Sequence, residues 1–537
     1  MANWNLRNRA RWAERDLHQR PETDEAADRP RHLARRALIL LGFLLVSPAV
    51  LAQTCPGQGA GTSGDPYVID SVDDFNLIDD CSPSAHYVLN RDLDFGGTEP
   101  DTASMKFTGH LSSAQGPNRP IVLKGAVVEA TNLSAPPPLD NGDKNAGLFA
   151  ILEDASVSNV ILYDFFVVGD EGSNFGAGVL AGWADGSVSV TNVVVLSSRV
   201  ENAGDVNVGS VVGASYNGGA PTFESITVSG VELVQSNGPV GGVIGQVGVN
   251  AQADLTVSNV DIVNVKLING SSNSVVGGVV GRVKETSTSR IVRASIDFDA
   301  NAVDAEPGGG VIGLYASTGD SHLVLQEVEV LGYNITAAPA SGNNKNAPLI
   351  GWVGAGSPTN THTMSLTDVL ADVPSATDSD NEFALMDHVF ADVFEVFLDR
   401  VVLAADAVTG PSSHFVYGIQ YVNTSTVSAS NILASVPGHT FTSPADVTNT
   451  DPATIQDPAT YASWPNYWQV DAGASIPRIT SINGPSVVLP ASPYGSTVSP
   501  TAGELDADGS STLAVTFYVR DFIDRPYTQG DESTPTM

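Results

Sequence analysis

The stretch GPVGGVIGQVG, Gly238–Gly248, is built of glycine and aliphatic residues and carries no charge. A phosphate-cradling loop needs Gly-Lys-Ser/Thr at its end, or G-x-G-x-x-G between a strand and a helix, and neither is present. The run is also too short to span a bilayer. Its meaning comes from recurrence. The same beat returns as AGLFA (146–150), GVLAG (178–182), GSVVG (209–213), GGVVG (277–281) and GGVIG (309–313), with weaker copies APLIG (347–351), FALMD (383–387) and HFVYG (414–418). Its marked glycines are Gly147, Gly182, Gly213, Gly245, Gly281, Gly313 and Gly351, and from Gly182 onward they lie 31 to 38 residues apart. A fixed period of this size is the signature of a repeat architecture.

A second marker keeps step. Between beats lies a strand-like run such as VSNVDIVNVKL (257–267), with relatives at 157–167, 190–200, 223–233 and 325–335. A polar residue precedes its first Val or Ile in successive units: Asn159, Asn192, Ser225, Asn259, Ser295, Glu327, Asp368 and Asn431, with Arg400 the exception. The units show no helix-length 3.6 periodicity. One unit cannot bury its own apolar face, whereas stacked units paired in parallel can. The spacing therefore predicts an all-β fold: a right-handed parallel β-helix of about nine coils, the polar residues stacked at a corner. A propeller blade needs four strands in 40–45 residues, more than these units supply.

Charge narrows the function. The 537 residues carry 25 Lys and Arg against 60 Asp and Glu. The first 52 residues hold nine of the basic groups, so the remainder is more acidic than the chain as a whole. Nucleic-acid binding needs a basic patch and is excluded. Within the first 52 residues, Arg35-Arg36 precede the apolar run ALILLGFLLV (37–46), and SPAVLA ends at Ala52. This predicts a signal peptide with a long basic leader (1–52), cut between Ala52 and Gln53, and no transmembrane anchor in the mature chain. Cys55 and Cys81, the two cysteines, follow closely and predict a disulfide after export.

The residues resemble the GLUG-motif family of secreted and surface proteins, of filamentous-haemagglutinin or adhesin-like type. GGVIG and GGVVG are similar to its G-G-L-V-G beat. GTSGDPYVIDSVDDFNLI (61–78) and YVLNRDLDFGG (87–97) resemble its opening segment, and TYASWPNYWQVDAGASIPRI (460–479) its close. Residues 107–125 match its F-x-G-x-F-D-G segment only loosely. The resemblance implies a β-helix with a surface or adhesive role and no reaction. Four regions are expected: the leader, an N-terminal cap with the first coils (53–125), the repeats (126–480), and a Pro/Ser-rich linker with a β or flexible segment (481–537).

Candidate chemistry is sparse. Alignment at the polar corner places Asp261, Asp297 and Glu329 in one column of neighbouring coils, about 4.8 Å apart. Such a stack suits a calcium ion or a polysaccharide-cleaving acid pair, against the plain alternative of three solvated acids. The nine histidines are scattered and no H-E-x-x-H occurs. Two apolar columns run through the beats, one containing Val243 and the other Ile244. Neighbours in a straight strand face opposite ways, so one column is expected to point outward. Trp183, Gln246, Arg282 and Trp352 follow the beats. The sequence thus favours a secreted, adhesin-like protein that attaches to cells, matrix or glycans. A calcium-dependent polysaccharide lyase or hydrolase, and a structural spacer, are the alternatives.

Overall fold

The computed structural model describes residues 55–117, 119–129 and 145–405 with short interruptions, strands Val408–Thr409 and Tyr417–Ser435, and a strand pair at Trp468–Val470 and Ile479–Ile482. The leader, the Ala52–Gln53 cleavage point and residues 483–537 lie outside the described residues. Within them the chain is a parallel β-helix. The turn around the opening stretch shows its plan: short strand Val240–Gly241, beat strand Ile244–Val247, a loop, the bent strand Leu255–Val263, and Lys266–Asn269. Val240–Gly241, Ile244–Val247 and Leu255–Val263 each pair in parallel with their counterparts one period before and after, and Lys266–Asn269 pairs with the counterpart before it, Glu232–Gln235.

The bent strand recurs seven times, from Ser156–Tyr163 to Thr361–Val373, giving about seven full turns where about nine coils were expected. In the last two layers the beat and bent strands merge into single long strands, Met386–Ala405 and Tyr417–Ser435. The final described pair, Trp468–Val470 with Ile479–Ile482, is antiparallel and is not another coil.

The bent strand turns at a residue in the left-handed region. Its occupants are Asn159, Asn192, Ser225, Asn259, Arg293, Glu327, Asp368 and Arg400, with φ between 54° and 59°. Arg293 takes the corner that the sequence assigned to Ser295. The small Ala294 fills the inward place held by Val260 one turn earlier, and so hid the register. Arg400, the apparent exception, is the corner of its own layer. Asparagine tolerates this conformation best, and its amide also links turns: Asn192 Nδ2 donates to Asn159 Oδ1 at 2.8 Å. At the far end the ladder is ionic. Arg400 donates through Nε and Nη2 to Asp368 Oδ1 and Oδ2 at 2.5 and 2.8 Å, and the Asp368 side chain is 2% exposed.

The glycine beat is a second corner, which changes its reading. The chain bends at 242–243, so Val243 and Ile244 both point into the core and neither apolar column faces outward. Glycine serves close approach here. A Cβ at Gly241 would lie 2.0 Å from the Ile244 carbonyl oxygen, and one at Gly245 would lie 2.6 Å from that of Gly213. The marked glycines fall into two columns: Gly182, Gly213, Gly245, Gly281, Gly313 and Gly351 close the beat, whereas Gly147 stacks at its start, below Gly178.

At the N-terminal end, Tyr67–Ile69, His86–Leu89 and His110–Ser113 form the first parallel layers. Between the first two lies helix α1, Val72–Cys81, which the sequence reading missed. Its signals are the cap and the spacing. Ser71 Oγ accepts from the Asp74 amide and donates to Asp74 Oδ2, and Phe75, Ile78 and Cys81 form its buried stripe. The expected disulfide joins Cys55 to Cys81 at the end of this helix, with a Cα–Cα distance of 4.8 Å. Phe107, in the loosely matching segment, stacks on Phe149 with ring centroids 4.6 Å apart, so the aromatic core runs through it.

Candidate functional site

Outward side chains of a parallel β-helix fall into columns, and two columns carry the candidate chemistry. The first lies just after the left-handed corner. It reads Ile161, Val194, Thr227, Asp261, Ser295, Glu329, Leu370. The expected acid stack is corrected here: Ser295, not Asp297, stands between Asp261 and Glu329. Asp297 sits two residues further along, in register with Val263 and Leu331. The cause is the corner shift from Ser295 to Arg293. Among the described residues, no group of three His, Cys, Asp or Glu side chains is disposed to hold a metal ion.

The carboxyls still influence one another. Burial, then the charge of Asp297, pushes the Asp261 pKa up to about 6. Burial raises that of Glu329 to about 7. Ser295, whose Oγ lies 3.5 Å from Glu329 Oε2, pulls it back, while Asp297, Asp261 and Asp372 push it up. Two coil steps separate Asp261 from Glu329, about 10 Å between backbones. Chemically the column offers an acid that holds its proton close to neutral pH beside a second carboxyl.

The second column lies on the outer face of the beat strands. Ile151, Trp183, Ala214, Gln246, Arg282, Leu314 and Trp352 are consecutive members. The four residues singled out in the sequence therefore belong to one line. The ring of Trp183 stacks on Tyr216, with centroids 4.4 Å apart and an interplanar angle of 12°. Gln246 is buried, and Arg282 and Trp352 are half-buried. Arg282 Nε is buried without an acceptor among the described residues, and burial lowers the guanidinium pKa.

Two histidine features escaped the sequence reading. His86 and His110 stack in the first layers, with centroids 4.2 Å apart, and His110 Nδ1 hydrogen-bonds Ser156 Oγ. Burial, then the His86 charge, lowers the His110 pKa. Inside the coil, His362 Nδ1 lies 2.7 Å from Ser321 Oγ. Burial drives its pKa down to about 4 against the upward pull of Asp320. Only the coil register brings these residues together: 24 residues separate the first pair and 41 the second.

Compared with family models and with curated proteins, the chain matches none. The GLUG resemblance rests on its own motifs. Among the described residues no helix is long and apolar enough to cross a membrane.

Proposed function

We propose that the chain is an exported, adhesin-like protein of GLUG type that presents a stiff lateral surface for attachment to cells, matrix or glycans. The observation that carries this reading is the unbroken parallel register from His86–Leu89 to Tyr417–Ser435. It sets outward side chains in fixed columns with little freedom to lose on binding. The disulfide is compatible with an oxidising, extracellular location. A glycan and cell-surface binding screen tests the proposal. Retention on at least one glycan class or cell surface is expected, and retention by none overturns it.

A second reading has its own observation, the raised pKa values of Asp261 and Glu329 in one outward column. An inverting glycoside hydrolase uses a protonated acid and a carboxylate base about 6.5–9.5 Å apart. A polysaccharide hydrolase would use Glu329 as the acid and Asp261 as the base. Release of reducing ends from acidic polysaccharides, assayed between pH 5 and 7 with and without calcium and abolished in Glu329→Gln, would establish it. Turnover unchanged in that variant would remove it.

A further inference from the structure

Arg282 is an anomaly in this molecule. Acids outnumber basic groups by 60 to 25 in the chain, yet among the described residues this guanidinium has no carboxylate partner. Its Nε is buried with no hydrogen-bond acceptor among the described residues. A half-buried cation left unpaired is unfavourable in the free protein, because it has given up water without gaining an anion. Gln246 precedes it by one coil in the same column. Lys284 is two residues along and half-buried like Arg282, and its Nζ is held by the Val249 carbonyl at 3.1 Å.

Aromatic residues flank this spot on both sides. Tyr216, half-buried against Trp183, lies on the strand of Ala214, two coils before Arg282. Trp352 lies two coils after it. At about 4.8 Å per coil, Arg282 stands about 10 Å from each aromatic level. A planar guanidinium fork matches a carboxylate, and aromatic faces pack against the apolar faces of sugar rings.

We infer that the outer face of the beat strands, from Tyr216 to Trp352, binds a uronate-bearing polysaccharide chain running parallel to the coil axis, with Arg282 receiving a sugar carboxylate. This deepens the attachment reading and rests on it. Tyr216 and Trp352 bracket the bound segment.

The test is a calorimetric titration of the full chain with a galacturonate oligomer and with its methyl-esterified, uncharged form. The acid form is expected to bind and the ester to bind at least tenfold more weakly. Arg282→Gln is expected to lose at least tenfold for the acid form, with Arg282→Lys recovering part of it. Trp352→Ala is expected to weaken binding several-fold. Equal binding of acid and ester, or an unaffected Arg282→Gln protein, overturns the inference. If Arg282→Gln does not fold by circular dichroism, Lys284→Gln and the salt dependence of the wild-type titration take its place. A several-fold loss in that variant, or binding that weakens steeply with salt, supports the inference, and the absence of both overturns it. Wild-type protein retained in the glycan and cell-surface screen while Arg282→Gln is retained equally well overturns this inference alone. Wild-type protein retained by nothing overturns the attachment reading as well.

Discussion

At the beat corner the chain turns by leaving side chains out, and at the ladder corner it turns by stacking them. Gly241, Gly242 and Gly245 face backbone atoms so close that no Cβ fits. The left-handed corner accepts Asn, Ser, Arg, Glu and Asp in turn. The first corner is governed by backbone sterics with a single solution. The second is governed by a modest backbone preference that several polar residues meet. The glycine corner therefore keeps a recognisable sequence, while the ladder corner drifts from amide to ion pair along the same molecule.

That contrast is open to direct attack. Gly245→Val is expected to be the most damaging, because its side chain would collide with the backbones of Gly213 and Val208. A loss of at least about 3 kcal/mol in urea denaturation is expected. A loss below about 1 kcal/mol would mean the beat corner relaxes as readily as the ladder. At the ionic end of the ladder, Arg400→Ala leaves the buried Asp368 carboxylate without its bidentate partner, and about 3 kcal/mol should go. The double variant Arg400→Met with Asp368→Leu should recover most of it, and failure to recover would show that the corner needs its charges.

The acidic column gives a pH-dependent effect. Glu329 and Asp261 hold protons more tightly in the folded chain than in the unfolded one. Their contribution is fully present below the ordinary carboxylate pKa and is lost as pH rises through about 6 and 7. At about 1.4 kcal/mol per pKa unit, each carboxyl should cost up to about 3 kcal/mol of stability between pH 4 and pH 8, and Glu329→Gln should remove about half of the total fall. An identical pH profile in the variant would deny the column any part in it. The smallest effect belongs to Asn259→Gly. Glycine adopts the positive φ freely, so a change within about 0.5 kcal/mol is expected, whereas Asn259→Val should cost about 1–2 kcal/mol. Equal costs for the two would show that the side-chain ladder, not the backbone, holds this corner.

The same contrast explains what the sequence disclosed. Close packing permits only glycine at Gly213, Gly245 and Gly281, so the period stood out and with it the β-helix. The ladder corner has no fixed residue. One small inward side chain, Ala294, was enough to move the reading from Arg293 to Ser295 and to pull Asp297 into a column it does not occupy. Reading Val243 and Ile244 as straight-strand neighbours put one of them outside, when a bend between strands lets both face in. The column of Trp183, Gln246, Arg282 and Trp352 was legible as residues at one phase of the repeat. That Arg282 lacks a counter-charge among the described residues was not, because pairing depends on the three-dimensional surroundings rather than on the repeat phase. The helix Val72–Cys81 was legible in Ser71, Asp74 and the spacing of Phe75 and Ile78, but it sits outside the repeats where the period drew attention.

The ladder of parallel pairings has a mechanical meaning. Adjoining turns are joined by hydrogen bonds that run along the axis, so a pull between the two ends loads the interfaces in series. Each interface gives way as a unit and releases one period of chain, roughly 110 Å of contour for the 33 residues from Asn159 to Asn192. Tension on the protein is thus met by stepwise lengthening. The Cys55–Cys81 bond keeps the 26-residue loop it closes out of that reserve, so the first stretch of the chain transmits load instead of yielding to it.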